Sequence, residues 1–173
     1  GSNYTLVLGG SNTFAITPRP ITITADAKAK NYRESDPNLT AQITSGTIVN
    51  GDLATGSLKR DAGESIGNYT INKDTYSYGA NYLETFISNN LTIGKHVITI
   101  TPNTGQTKIY GEVDPTFTYS ASEALQAGDS YSGTISRVSG NNVSTFAFNI
   151  GSLSAGSNYT LVLGGSNTFA ITP

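Results

Sequence analysis

GSNYTLVLGGSNTFAITP, residues 1–18, returns without a change as residues 156–173. An unbroken match of this length does not arise by chance, and a repeat decides the architecture before any local pattern does. The shift is 155 positions (1 against 156) in a chain of 173 residues. A weaker similarity lies at half that spacing. Tyr32, Asp36 and Pro37 correspond to Tyr110, Asp114 and Pro115 at an offset of 78. Gly51-Asp52, Gly56, Arg60, Gly63, Asn72 and Asn81-Tyr82 correspond to Gly128-Asp129, Gly133, Arg137, Gly140, Asn149 and Asn158-Tyr159 at 77. Two diverged copies of one small domain therefore fill each long period.

The pattern restarts at Pro18-Arg19-Pro20 before ITIT and at Gly94-Lys95-His96 before VITIT. This divides the chain into β repeat domain one, 19–96, and β repeat domain two, 97–173. Residues 1–18 are then expected to be the C-terminal β-hairpin of a preceding repeat. Both joints are short, and the two prolines restrict φ at the first, so a semi-rigid string of domains is expected.

Inside each unit the same signals recur. ITITA at 21–25 and VITIT at 97–101 alternate Ile with Thr, the period of two of a half-exposed strand. Asp-Pro at 36–37 and 114–115 marks a turn before LTAQI or FTYSA. SLKR aligns with TISR, and YTIN with FAFN. Each unit is expected to close on a hairpin, YLETFI with LTI across Ser-Asn-Asn, or YTLVL with FAI across Gly-Gly-Ser-Asn. The fold expected is all-β, tandem small β-sandwich domains of immunoglobulin-like type. The alternative is a β-grasp-like arrangement, in which TIVNGD (47–52) and EALQAGD (123–129) would be a helix crossing one sheet.

Composition agrees. Apolar residues make up 36% and charged residues 13%, with Thr, Ser, Asn and Gly filling most other places, an alphabet of strands and turns. The net charge of -2 and the scattered Lys and Arg offer no basic stripe for phosphate, so nucleic acid is not expected as a partner. No apolar run approaches a membrane span, and membrane insertion is not expected. Without cysteine, neither disulfides nor thiolate metal sites stabilise these units.

The motifs Tyr110-Gly111-Glu112-Val113-Asp114-Pro115, Gly151-Ser152-Leu153-Ser154-Ala155-Gly156-Ser157-Asn158-Tyr159-Thr160-Leu161 and Leu58-Lys59-Arg60-Asp61-Ala62-Gly63-Glu64-Ser65-Ile66-Gly67-Asn68-Tyr69-Thr70-Ile71 stand in a common order across the two units. In this the chain resembles the MBG-type (YGX) and YDG-like repeat domains of large bacterial adhesins and filamentous-haemagglutinin-like exoproteins. The resemblance covers essentially the whole chain. Arg33 stands where the family's glycine would sit, and Asn141, Ser144 and Phe146 stand where the first unit has Glu64, Gly67 and Tyr69. The resemblance implies an extracellular or cell-surface location and a stalk or adhesive role, and carries no functional residue over.

Catalytic chemistry finds no constellation. His96 is alone and sits beside Lys95 at a joint, where a solvated role is expected, and no Ser or Thr nucleophile has a base. No catalytic, cofactor-binding or metal residue is assigned, no cofactor is expected, and the chain is not expected to be an enzyme. Glu34, Asp36 and Asp52, matched by Glu112, Asp114 and Asp129, are the candidate oxygen ligands for calcium, weighed against acids that cap turns. Tyr32, Tyr69, Tyr76, Tyr78, Tyr82, Tyr110, Tyr119, Tyr131 and the repeated Tyr4 and Tyr159 could stack on sugars or edge the cores. Lys30 and Lys108 lie in comparable regions, as an intramolecular Lys-to-Asn cross-link would need.

The first expectation for function is a structural repeat segment of a bacterial cell-surface or secreted adhesin or fibre, acting as stalk or filament building block. The alternative is a module that binds glycans or a host surface. The partners expected are neighbouring repeats of the same array, neighbouring chains through strand exchange, and a glycan.

Overall fold

The computed structural model describes residues 3–5, 7, 9–10 and 13–173, and every regular element among them is a β-strand. The first repeat contains β1 (Arg19–Ala25), β2 (Lys28–Asn31), β3 (Ala41–Ser45), β4 (Lys59–Arg60), β5 (Gly67–Asn72), β6 (Tyr82–Ile87) and β7 (Asn89–Gly94). The second contains β8 (His96–Pro102), β9 (Thr107–Ile109), β10 (Tyr119–Ala121), β11 (Ser136–Arg137), β12 (Ser144–Asn149), β13 (Tyr159–Leu163) and β14 (Thr168–Thr172). Each repeat holds a three-stranded sheet, β3-β1-β6 or β10-β8-β13, and a four-stranded sheet, β2-β7-β5-β4 or β9-β14-β12-β11. The fold is all-β and sandwich-like, in tandem.

Alternation builds the core between the sheets. Ile21, Ile23 and Ala25 of β1 are buried while Thr22 and Thr24 are half-buried, and β8 repeats the pattern with Ile98 and Ile100. In the second repeat Phe117, Phe148 and Phe169 meet edge to face, with centroids 5.2 to 6.4 Å apart, beside Ile135 and Ile171. In the first, Phe86 packs against both the Ile21–Ile23–Tyr82 cluster and the Ala25–Ile71–Leu91 cluster.

The expected closing hairpins are not formed. β6 runs parallel to β1 and β7 runs parallel to β2, so the last two strands accompany the first two as the chain passes from one sheet to the other. Ser88, the single residue between β6 and β7, is too short for a reversing loop. Between β13 and β14 the link is longer, but Gly164 N–H donates to the Ile100 carbonyl and Asn167 Nδ2 to the Pro102 carbonyl, which carries the chain onward across β8. Alternation names the face a residue takes, not the strand beside it.

The segments 47–52 and 123–129 are turns and not the helix of the β-grasp alternative. Each closes on one backbone hydrogen bond, Asp52 N–H to the Val49 carbonyl at 3.1 Å and Asp129 N–H to the Gln126 carbonyl at 2.9 Å. A residue of the immunoglobulin-like corner is also present, since Tyr69 Oη donates to the Ser65 carbonyl at 2.7 Å.

The duplicated segment has two fates. Tyr159, Phe169 and Ile171 are 4%, 0% and 2% exposed, whereas their counterparts Tyr4, Phe14 and Ile16 are 86%, 90% and 88% exposed. Thr13–Pro18 carry no strand, and the hairpin expected over 1–18 falls partly on residues outside the described ones.

Candidate functional site

Two constellations recur in both repeats: an ionic cluster beside the core, and a tyrosine-acid contact at one pole.

The cluster in the first repeat centres on Lys30, whose side chain is 4% exposed. Its Nζ lies 2.7 Å from Asp36 Oδ1 and 2.6 Å from Glu64 Oε2, and it donates to the Glu34 carbonyl at 3.0 Å. Arg60 grips Asp36 through Nε (2.6 Å) and Nη2 (3.1 Å) and also bonds Glu64. The second repeat keeps Lys108 2.7 Å from Asp114 and Arg137 at 2.7 and 2.9 Å from the same carboxylate, with no acid at Asn141. Arg60 lies 5.3 Å from the Tyr69 ring centre and Arg137 4.8 Å from that of Phe146. Gly63 and Gly140 permit this, because a Cβ at either would stand 2.2 Å from the ring.

The hydrogen bonds from Arg60, and then Lys30, hold the Asp36 carboxyl down to about 2, and Lys30 and Arg60 together hold Glu64 below its ordinary value. Burial alone would lower Lys30, but the Asp36 and Glu64 bonds outweigh it and raise its value. A Lys–carboxyl amide needs a neutral amine and a protonated acid, the reverse of what this cluster favours. Both buried lysines face aspartate instead of the asparagine a Lys-to-Asn cross-link requires. The intact mass is therefore expected to equal that of the sequence; a mass short by one water or one ammonia per repeat would show that the link forms.

The second constellation joins the repeats. Asp129 Oδ2 accepts from Tyr159 Oη at 2.7 Å, within the second repeat, and from Tyr32 Oη of the first repeat at 2.9 Å. Gln126 N–H donates to Tyr159 Oη at 3.0 Å, and the rings of Tyr32 and Tyr159 meet edge to face at 5.3 Å. Arg33 Nη1 reaches Glu123 Oε2 at 2.9 Å and the Ala124 carbonyl at 3.0 Å. Ile66 N–H donates to Asn158 Oδ1 at 3.1 Å. The bond to Asp129, with burial, raises the Tyr32 phenol above its ordinary value, so it remains a donor well past neutrality.

Local structure aims these side chains. Tyr32 N–H donates to the Gly94 carbonyl at 2.8 Å, fixing the turn after β2 to the end of β7, and only Lys95 separates β7 from β8. Arg33 occupies the turn at φ 76°, where Gly111 has φ 90° in the second repeat. A non-glycine residue there is strained, and its ion pair with Glu123 offsets that cost.

The residues singled out from sequence are redistributed accordingly. His96 is half-buried and has a partner: it opens β8, and its Nε2 lies 2.6 Å from Glu123 Oε1. The candidate calcium ligands separate, Asp36 and Asp114 to Lys and Arg, Asp52 and Asp129 to phenols, and Glu34 and Glu112 to the backbone N–H of Asn31 and Ile109. Among the described residues no group of three or more acids and histidines could hold a metal. Tyr76, Tyr78, Tyr119 and Tyr131 pack on the cores, while Tyr110 is 59% exposed. Arg33, Glu123 and Asn158 carry no sequence motif that announces a joint; the arginine in a glycine position is the available signal.

A family model described as MBG domain (YGX type) matches the chain twice, over residues 21–92 and 98–170. No curated protein matches it.

Proposed function

The chain belongs to the MBG domain family of the YGX type, and on that premise we propose that it is a structural segment of a bacterial surface or secreted adhesin or fibre, acting as stalk or filament building block. In this reading it is extracellular and does no catalysis. The observation that carries it is the joint: one linking residue, and Tyr32, Arg33 and Ile66 of one repeat hydrogen-bonded to Asp129, Glu123 and Asn158 of the next. A stalk needs neighbouring domains to hold their relative orientation, and contacts between neighbours set the stiffness of such arrays.

The test is NMR relaxation of the whole chain. Both repeats are expected to tumble with one correlation time, and the Tyr32→Phe/Arg33→Gly double variant, which removes the bonds to Asp129 and Glu123 while keeping the ring that packs against the second repeat's core, is expected to release them toward roughly half that value. Separate tumbling of the unaltered chain would remove the basis of the stalk reading.

A further inference from the structure

The joint between the repeats consists of a turn and a socket, and each repeat has both. One turn, after β2, and one socket, beside β8 and β13, are engaged with each other. The remaining turn, after β9, and the remaining socket, beside β1 and β6, are chemically matched. We propose that the socket of the first repeat takes the Tyr110–Gly111 turn of another copy of the second repeat, so that the two repeat types alternate head to tail through two distinct joints. This rests on the stalk reading and specifies its second joint.

The socket is the same object twice. Tyr82 Oη donates to Asp52 Oδ2 at 2.7 Å and receives Val49 N–H at 3.1 Å. These are the bonds Tyr159 makes with Asp129 (2.7 Å) and with Gln126 N–H (3.0 Å). In the occupied socket the same Asp129 oxygen also accepts Tyr32 Oη, whereas among the described residues Asp52 accepts one phenol. A pocket of about 330 Å³, lined by Thr17, Pro18, Asp52 and Tyr82 among others, lies beside it.

The turn is also the same object. Tyr110 N–H donates to the Thr172 carbonyl at 2.8 Å, as Tyr32 N–H does to the Gly94 carbonyl at 2.8 Å. Glu112 N–H closes the turn on the Ile109 carbonyl at 3.2 Å, and Glu34 N–H closes its counterpart on the Asn31 carbonyl at 3.1 Å. Tyr110 thus leaves the end of β14 as Tyr32 leaves the end of β7, and its ring is open to solvent.

Where turn and socket differ between the copies, they differ together. Arg33 meets the carboxylate of Glu123. At the other pair, Gly111 replaces the arginine, and Gly46 and Thr47 stand where Glu123 and Ala124 stand. Arg19 there bonds Thr47 Oγ1 instead of an acid. The turn that carries an arginine faces a socket with an acid to receive it, and the turn with glycine in that place matches a socket with Gly46 in place of that acid. Mixed pairing would strand Arg33 without an acid or Glu123 without that arginine, which favours alternation over self-pairing of like repeats.

The test uses the full chain followed directly by a second copy of residues 19–173. Because 156–173 repeats 1–18, the new connection reproduces the sequence that leads into Arg19. Small-angle scattering of this four-repeat protein is expected to fit one rigid arrangement. Tyr110→Ala in the leading copy only, at an exposed position where folding is not at stake, is expected to broaden the distance distribution through flexing at the centre. Asp52→Ala in the trailing copy should do the same, with the two together adding nothing further. A flexible centre in the unaltered protein with stiff outer joints would overturn this inference alone; flexibility at all three joints would overturn the stalk reading as well. Scattering unchanged by Tyr110→Ala would also overturn it.

Discussion

Phe169→Ala is expected to destabilise the second repeat by about 4 kcal/mol, while Phe14→Ala, the same change in the same eighteen-residue sequence, is expected to cost under about 0.5 kcal/mol. Phe169 is 0% exposed and forms a three-ring cluster with Phe117 and Phe148. Removing its ring leaves a cavity between sheets whose strands are held by their ladders, so the loss combines burial and void. Phe14 is 90% exposed, and its alanine variant gives up little that water does not already solvate. The contrast isolates context from sequence, because the neighbours along the chain are identical on both sides of each phenylalanine. Urea unfolding followed by circular dichroism and tyrosine fluorescence reads both values. A large loss for Phe14→Ala would mean that the first copy is buried against something, a strand-exchanged neighbour included, and would be accompanied by a concentration-dependent midpoint.

That contrast also marks what the sequence could carry. The alternation of Ile21, Ile23 and of Ile98, Ile100 named inward faces correctly, because side chains on a strand change face at each step whatever strand lies alongside. The partner of a strand is not encoded that way. β1 pairs with β6 across some sixty residues and in parallel, and nothing near Ile21 or Glu84 announces it. YLETFI and LTI therefore read as two halves of a hairpin, although their one-residue link carries the chain between sheets. The functional residues follow the same logic. Tyr32, Asp129 and Tyr159 were each visible as members of repeated motifs, and Arg60 and Asp36 as aligned with Arg137 and Asp114. Their meeting across the joint or across the sandwich depends on tertiary placement alone. Arg33 is the exception, since a bulky residue at a turn position held by glycine in the other copy implies something that compensates its strain.

Asp114→Ala is expected to cost the second repeat about 3 kcal/mol, and Asp36→Ala to cost the first repeat only about 1.5 kcal/mol, although the two aspartates are equivalent. Asp114 is the sole carboxylate bonded to both Lys108 and Arg137 among the described residues, and those side chains are 8% and 7% exposed. Its removal strands two nearly buried cations, which is the costly way to break an ionic cluster. In the first repeat Glu64 still bridges Lys30 and Arg60 when Asp36 is gone. Asn141 occupies the place of Glu64 and lines the same pocket as Lys108, so Asn141→Glu is expected to recover part of the loss in Asp114→Ala. The pH dependence has a defined sign. The Arg60 and Lys30 bonds depress Asp36 from the ordinary carboxylate range near 4 to about 2 in the folded chain. Its contribution is therefore fully present above about pH 4 and is lost as pH falls through about 2. Asp114 is depressed in the same direction, chiefly by Arg137, so both repeats should weaken with acid. Denaturant midpoints measured at steps from pH 6 to pH 2 should fall steeply for the unaltered chain, and the fall should flatten for the repeat that lacks its aspartate. Equal losses for the two alanine variants would show that Glu64 contributes nothing and that Lys30, like Lys108, depends on a single carboxylate.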